Sequence, residues 1–229
     1  MCERFTGIAN SSQSSERSNR EKARFVALWT RCLRDGAGTA GTVYGQLIDL
    51  YGEPHRHYHT LDHIRHCLGE FDQAATEMED SDAVELALWF HDAIYQPGAK
   101  DNERRSAELF ERWSQGRAES AFRRRVWDLI LITTHRELPR QPDERFIVDI
   151  DLSGFGLSWD ECERDGRRIR AECADLADED YYPGHLRFLR SLRDRPTFFF
   201  TEFFRQRYER IACENVRRII TELQARGYE

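Results

Sequence analysis

Apolar residues recur at spacings of three and four along almost the whole chain, and runs that alternate apolar with polar are nearly absent. That rhythm belongs to helices with one buried face, not to half-buried strands. EKARFVALWTRCL carries Phe25, Leu28, Trp29, Cys32 and Leu33 at helical spacing. VYGQLIDLYG reads as a second helix ending near Gly52, and Pro54 then forces a turn or extended segment. Helical patterns follow at residues 60–76, 82–94, 102–114, 119–135, 159–177, 184–193 and 200–226. Along residues 82–94, Ala83, Leu86, Ala87, Phe90 and Ile94 form one apolar stripe. RFIVDIDLSGFG, residues 145–156, is the one passage that reads as strand, and it is short. No internal repeat is visible. The expected fold is all-α: one helical domain over residues 19–229, preceded by a polar, Ser-rich flexible tail over residues 1–18.

Several function classes are set aside by charge and composition. The 229 residues can bury a real core, and 40% apolar with 33% charged residues suits a globular protein with a busy surface. The net charge of −7 argues against a nucleic-acid polymer as partner, since polyanion binders are usually basic. The most apolar run, TFFFTEFF, is broken by Glu202 and falls far short of the ~20 residues of a spanning helix. The first 20 residues contain no apolar stretch of the kind a secretory signal needs. Six cysteines lie far apart with no C-x-x-C pair, which predicts reduced thiols in a cytoplasmic protein. DGAGTAGT lacks the preceding strand and the G-K-[ST] ending of a P-loop.

PHRHYHTLDHIRH, residues 54–66, holds five of the eight histidines. On a helix, His59 and His63 are one turn apart on one face, while Leu61, Ile64, Leu68 and Phe71 gather on another. One imidazole can bind a metal while the other moves protons beside it. His55, His57 and His66 read as support or surface. Acidic partners come later. His91 and Asp92 are adjacent in LWFHDAIYQPGAKDNE, and Asp149 and Asp151 sit inside an apolar run. A buried carboxylate costs several kcal/mol unless paired or bound to a cation. In extended chain Asp149 and Asp151 face the same side. Imidazole and carboxylate donors together suit Mn²⁺, Fe²⁺, Co²⁺, Ni²⁺ or Zn²⁺.

His63, His91-Asp92 and Asp151 resemble the H…HD…D signature of the HD superfamily of metal-dependent phosphohydrolases. YHTLDHI resembles the Y-H-N-x-x-H motif of cyclic-nucleotide phosphodiesterases, HDAIYQPG their H-D-x-x-H-P-G, and DIDLS their A-D-L-S. Over residues 25–220 the chain looks most like a bacterial group described as predicted metal-dependent HD-superfamily phosphohydrolases. The resemblance implies a helical bundle with a central metal site and a divalent ion, Mg²⁺ included among the options. It implies His63, His91, Asp92 and Asp151 as ligands, with Asp149 in reserve for the last. It implies His59 as donor of the proton to the leaving oxygen, and Asp92 or Asp151 as the carboxylate that orients the attacking water. Arg56 and Lys100 are candidates to hold the oxygens of a small phosphorylated substrate, with Lys100 equally readable as surface charge, and His135 lines the pocket, assists a second metal or is a hydrogen-bonded core histidine. Glu103 is read as a carboxylate behind the ligands or as helix-start chemistry. The chain departs from the phosphodiesterase pattern at Gln96, where a histidine is expected, and at Cys213, where an arginine is. Only His135 lies between Asp92 and Asp151, which leaves a second metal site under-equipped. A di-iron oxygenase and a non-catalytic metal or nucleotide sensor stand as alternatives to the hydrolase.

Overall fold

The computed structural model describes the backbone of residues 6–229 and the side chains from residue 16 on. Among the described residues there are ten α-helices and no strand. In order they are α1 Thr6–Cys32, α2 Ala40–Tyr51, α3 Leu61–Ala74, α4 Ser81–Phe90, α5 Asn102–Ser114, α6 Ser120–Ile132, α7 Pro142–Leu152, α8 Trp159–Glu172, α9 Asp178–Arg193 and α10 Glu202–Ala225. The fold is all-α, as the periodicity requires. The tail expected over residues 1–18 falls partly outside the described residues; from Thr6 onward its backbone is drawn as part of α1. No described helix is long and apolar enough to cross a membrane.

The helix starts are chemically marked. Thr60 Oγ1 accepts from the Asp62 N–H at the head of α3, Asp80 Oδ1 from the Ala83 N–H at α4, and Thr201 Oγ1 from the Phe204 N–H at α10. Each satisfies one of the donors that a helix start leaves unpaired.

Two expectations change in the structure. The expected stripe on residues 82–94 is not a stripe, because every residue of α4 from Ala83 to Phe90 is buried. This helix runs through the middle of the molecule, and even Glu85 is covered, its carboxylate 2.7 Å from Arg24 Nε. RFIVDIDL is not a strand. It forms most of α7, started by Pro142 and by Glu144, whose Oε2 accepts from the Gln141 and Arg140 N–H groups at 3.0 and 2.6 Å. A short apolar run bounded by turns cannot be told from a buried helix by periodicity, and the helix-start chemistry decides it.

Buried apolar residues of α1 to α7, α9 and α10 form one contiguous core, with Phe25, Trp29, Trp89, Phe90 and Phe110 packed edge-to-face or stacked at its centre. α8 contributes nothing to that core among the described residues. A 3₁₀ turn, Ser153–Gly156, follows α7. Asn215 of α10 holds it by donating to Phe155 O and Leu157 O at 2.9 Å each. Gly156 is required there, since a Cβ would collide with Tyr208. The result fixes where α7 ends. Three helices, α4, α6 and α7, end around one buried point at which α3 begins.

Candidate metal centre

At that point four side chains converge. His63 lies in the first turn of α3, His91 and Asp92 directly follow α4, and Asp151 is the penultimate residue of α7. His63 Nε2 is 3.3 Å from His91 Nε2, 3.2 Å from Asp151 Oδ1 and 3.5 Å from Asp92 Oδ2. His91 Nε2 is 3.1 Å from Asp92 Oδ2 and 3.5 Å from Asp151 Oδ1. Donors on one metal at bond lengths of about 2.1 Å stand about 3.0–3.4 Å apart at right-angle or tetrahedral spacing. The donor set and its spacing therefore fit a divalent ion.

Further shells hold the donors in place. His91 is 1% exposed, and its Nδ1 donates to Leu88 O at 3.0 Å. That bond fixes the tautomer and leaves the Nε2 lone pair facing inward, the arrangement metal-ligating histidines adopt. Burial opposes charge on His91, but the carboxylates of Asp92 and Asp151 outweigh it and raise its pKa well above the usual value. Burial likewise pushes the Asp151 carboxyl up, and hydrogen bonds from His135, His63 and His91 more than reverse this, holding it well below the carboxylate range. Two ionised carboxylates in a buried pocket make a strong attraction for a cation.

Cys67 enters the site unforeseen. His63, Cys67, His91 and Asp151 each offer a donor atom, all within 4.8 Å of one another, so this buried group could hold a metal ion. Its Sγ is 3.6 Å from His63 Nε2 and 3.9 Å from Nδ1, flanking the ring one helical turn along. Burial first, then Asp151 and Asp92, push the thiol well above its usual pKa. The sequence signal was the same i, i+4 spacing that paired His59 with His63.

Asp149 is not at this point. On a helix, neighbours two apart diverge by about 200°. Its carboxylate instead accepts from the Phe200 and Thr201 N–H groups and the Thr201 hydroxyl, at 2.7–3.1 Å, where it anchors the start of α10. Burial pushes its carboxyl up to about 7 against the pull of those bonds. Asp149→Ala would strand buried N–H groups, each worth about 1–3 kcal/mol. A loss of about 3 kcal/mol in urea unfolding is expected, with metal content per folded chain unchanged; lost metal and intact stability would make Asp149 a ligand after all.

His59 stands beside the cluster, its ring 6.1 Å from that of His63 and stacked at 4.1 Å on Tyr95. Its Nδ1 is 2.6 Å from Oε2 of Glu172, the last residue of α8. The other oxygen of Glu172 accepts from the backbone N–H groups of His57, Tyr58 and His59 at 2.7–2.8 Å. Burial works against charge on both partners. Asp92 and Glu172 outweigh it on His59, raising that pKa, and His59 with the backbone donors brings Glu172 down to about 2. No motif pointed to Glu172, which sits in the charged run RRIRAEC, 113 residues from His59.

The remaining candidates separate. His135 Nε2 is 2.9 Å from Asp151 Oδ2, so it supports a candidate ligand from behind. Its backbone takes the left-handed conformation, φ 54°, which aims the ring back at α7. Arg56 does not face a substrate. Its side chain is wholly buried, packs over Tyr51 and Tyr95, and donates to the carbonyls of His59, Asp92 and Ala93 at 2.7–3.0 Å. It ties the His59 loop to the His91-Asp92 turn. Lys100 and Glu103 lie outside the cluster, Lys100 exposed. His66 Nε2 bonds Ser153 Oγ at 2.8 Å, His55 bonds Tyr95 O, and His57 is exposed, so these three are support and surface. Sequence reasoning missed Arg164 and Arg168 of α8. They line a cavity of about 210 Å³ together with His63, Tyr58 and His66.

The chain matches no protein-family model, no curated protein and no solved structure.

Proposed function

We propose that the chain is a metal-dependent phosphohydrolase of the HD type that cleaves a small phosphoester. The observation that carries this reading is the His59–Glu172 pair set beside a cluster of two imidazoles and two carboxylates. A cluster that only stored or sensed an ion would not need a further histidine held beside it by a carboxylate of its own. His63, His91, Asp92 and Asp151 would hold the ion, with Cys67 alongside. The imidazole pair favours Mn²⁺, Fe²⁺, Co²⁺, Ni²⁺ or Zn²⁺ over Mg²⁺. Such an ion lowers the pKa of a water and offsets charge on phosphoryl oxygens. Asp151 spends both oxygens, on the two ligand histidines and on His135, while Asp92 spends one. Asp92 is therefore the carboxylate that orients the water and accepts its proton. His59, held by Glu172 at Nδ1, gives a proton from Nε2 to the leaving oxygen. Arg164 and Arg168 replace Arg56 and Lys100 as candidates for the phosphate oxygens. The five cysteines among the described residues are unpaired, which accords with a reducing, cytoplasmic setting.

The test is metal analysis of the purified chain, followed by assays on phosphomonoesters, phosphodiesters and nucleotides with and without Mn²⁺. One divalent ion per chain and metal-dependent phosphate release are expected. A chain that takes up no divalent ion overturns the reading. Two irons per chain would turn it to an oxygenase, and full metal with no turnover across the panel to a sensor.

A further inference from the structure

We propose that the cavity between α8, α9 and α10 is a binding site for the organic half of the substrate, an aryl or heteroaryl group esterified to the phosphate. The inference rests on the phosphohydrolase reading for its phosphate half only. The cavity measures about 510 Å³, within the range of small-molecule sites. It adjoins the metal centre through a smaller chamber of about 50 Å³ that Asp151, Tyr58 and Gly154 line on one side. Cys162, Gly166, His185 and Ile219 line both spaces. A phosphoester seated at Asp151 can thus extend into this cavity while its phosphate faces the space lined by Arg164 and Arg168.

The walls are flat. Tyr181 and Tyr182 face the cavity from α9 and Trp159 from α8. Guanidinium groups pack against these rings: Arg170 lies 4.9 Å from the Tyr181 ring and Arg226 4.5 Å from Tyr182, both also lining the cavity, and Arg218 lies 3.7 Å from Trp159. His185 stacks on Tyr181 with ring centres 5.5 Å apart and planes 20° from parallel. It has no hydrogen-bond partner among the described residues, and its burial keeps the imidazole neutral at physiological pH. It offers a flat ligand one donor and one acceptor. A planar group with a heteroatom uses both features; a sugar or short aliphatic alcohol uses neither.

Gly166 opens the wall between the two spaces. It lies in the middle of α8, where glycine costs about 1 kcal/mol relative to alanine. Nothing lies within 4 Å of where its Cβ would be, so packing does not demand the glycine. The space it leaves open is the wall shared by the two cavities.

The decisive variant is Gly166→Leu, which fills that space, meets no neighbour at Cβ and improves helix propensity. The full chain is titrated calorimetrically with 1-naphthylmethylphosphonate, methylphosphonate and 1-naphthol in the presence of Mn²⁺. The carbon–phosphorus bonds keep the phosphonates intact. The wild type is expected to bind the naphthyl phosphonate about tenfold or more tighter than methylphosphonate. Gly166→Leu is expected to erase that preference while Mn²⁺ and methylphosphonate bind within about twofold of wild type. A wild type without the preference, or a preference that survives Gly166→Leu, overturns the site. Should the wild type take up no Mn²⁺, the phosphohydrolase reading falls and 1-naphthol still decides the cavity. Binding that Gly166→Leu removes upholds an aryl site, and no binding to wild type overturns it.

Discussion

His91→Ala is expected to abolish metal binding while the chain stays folded. The ring is almost wholly buried, and its inward nitrogen lies 3.1–3.5 Å from three other donors. Losing a group that merely supports a ligand lowers metal affinity about 10–100-fold. Losing the ligand itself should cost more, at least about 100-fold. A second effect adds to the first: with the imidazole gone, Asp92 and Asp151 face each other with less positive charge between them. Metal analysis after dialysis reads the first effect. Thermal unfolding reads both, because an ion that binds only the native chain raises stability by about 2.7 kcal/mol at 100 times its dissociation constant. The wild type should show that upshift and His91→Ala should not. His66→Ala is the control. It removes a histidine of the same stretch, bonded to Ser153 and not to the cluster, and should keep both metal and upshift. An His91→Ala chain with full metal content would dissolve the centre as drawn.

Glu172→Gln is expected to leave metal content intact and lower turnover by about 10²–10³-fold, within the range of a lost general acid. Glutamine has the shape to keep accepting from the three backbone N–H groups of residues 57–59, so the loop stays folded. Its amide then meets His59 Nδ1 where a carboxylate stood, and the imidazolium loses its partner. Burial lowers the His59 pKa, and Asp92 and Glu172 raise it by more, so the acid form persists above the ordinary histidine value and activity falls as pH rises past it. In Glu172→Gln that alkaline limb should move to lower pH. In His59→Asn it should vanish along with most of kcat. A merely structural Glu172 would change expression or stability and leave the limb where it was. Wild-type kcat with an unmoved limb in Glu172→Gln would remove His59 from the chemistry.

Much of this was legible in the sequence, for reasons that also mark where legibility stops. Amphipathic helices announce themselves, and most helix spans agree with the periodicity to within a few residues. α7 did not, since its run Phe146–Ile150 is buried throughout and carries no helical period, and α4, found as a helix, lost its expected stripe because all its faces from Ala83 to Phe90 are buried. Misreading α7 as extended chain made Asp149 and Asp151 equivalent. The helix separates them, one anchoring α10 and the other joining the cluster. Resemblance supplied His63, His91, Asp92 and Asp151 as a set, and the structure brings all four together. Glu172 and Arg56 carry no local signature. Their roles come from chain segments that meet only on folding, and a buried arginine in a histidine-rich loop reads as surface charge until its carbonyl partners are known.

The meeting of helix ends has an electrostatic consequence of its own. Each peptide unit is a dipole, and aligned along a helix they leave about half a negative charge at its C-terminal end. α4 and α7 stop at the cluster and α6 stops three residues short of His135, while α3 alone presents its positive end. The balance is negative before any side chain is counted. Each such end contributes about 0.3–1 kcal/mol toward a cation and acts only within its last turn. The backbone's own field therefore points a divalent ion to the place where the imidazoles and carboxylates can grip it.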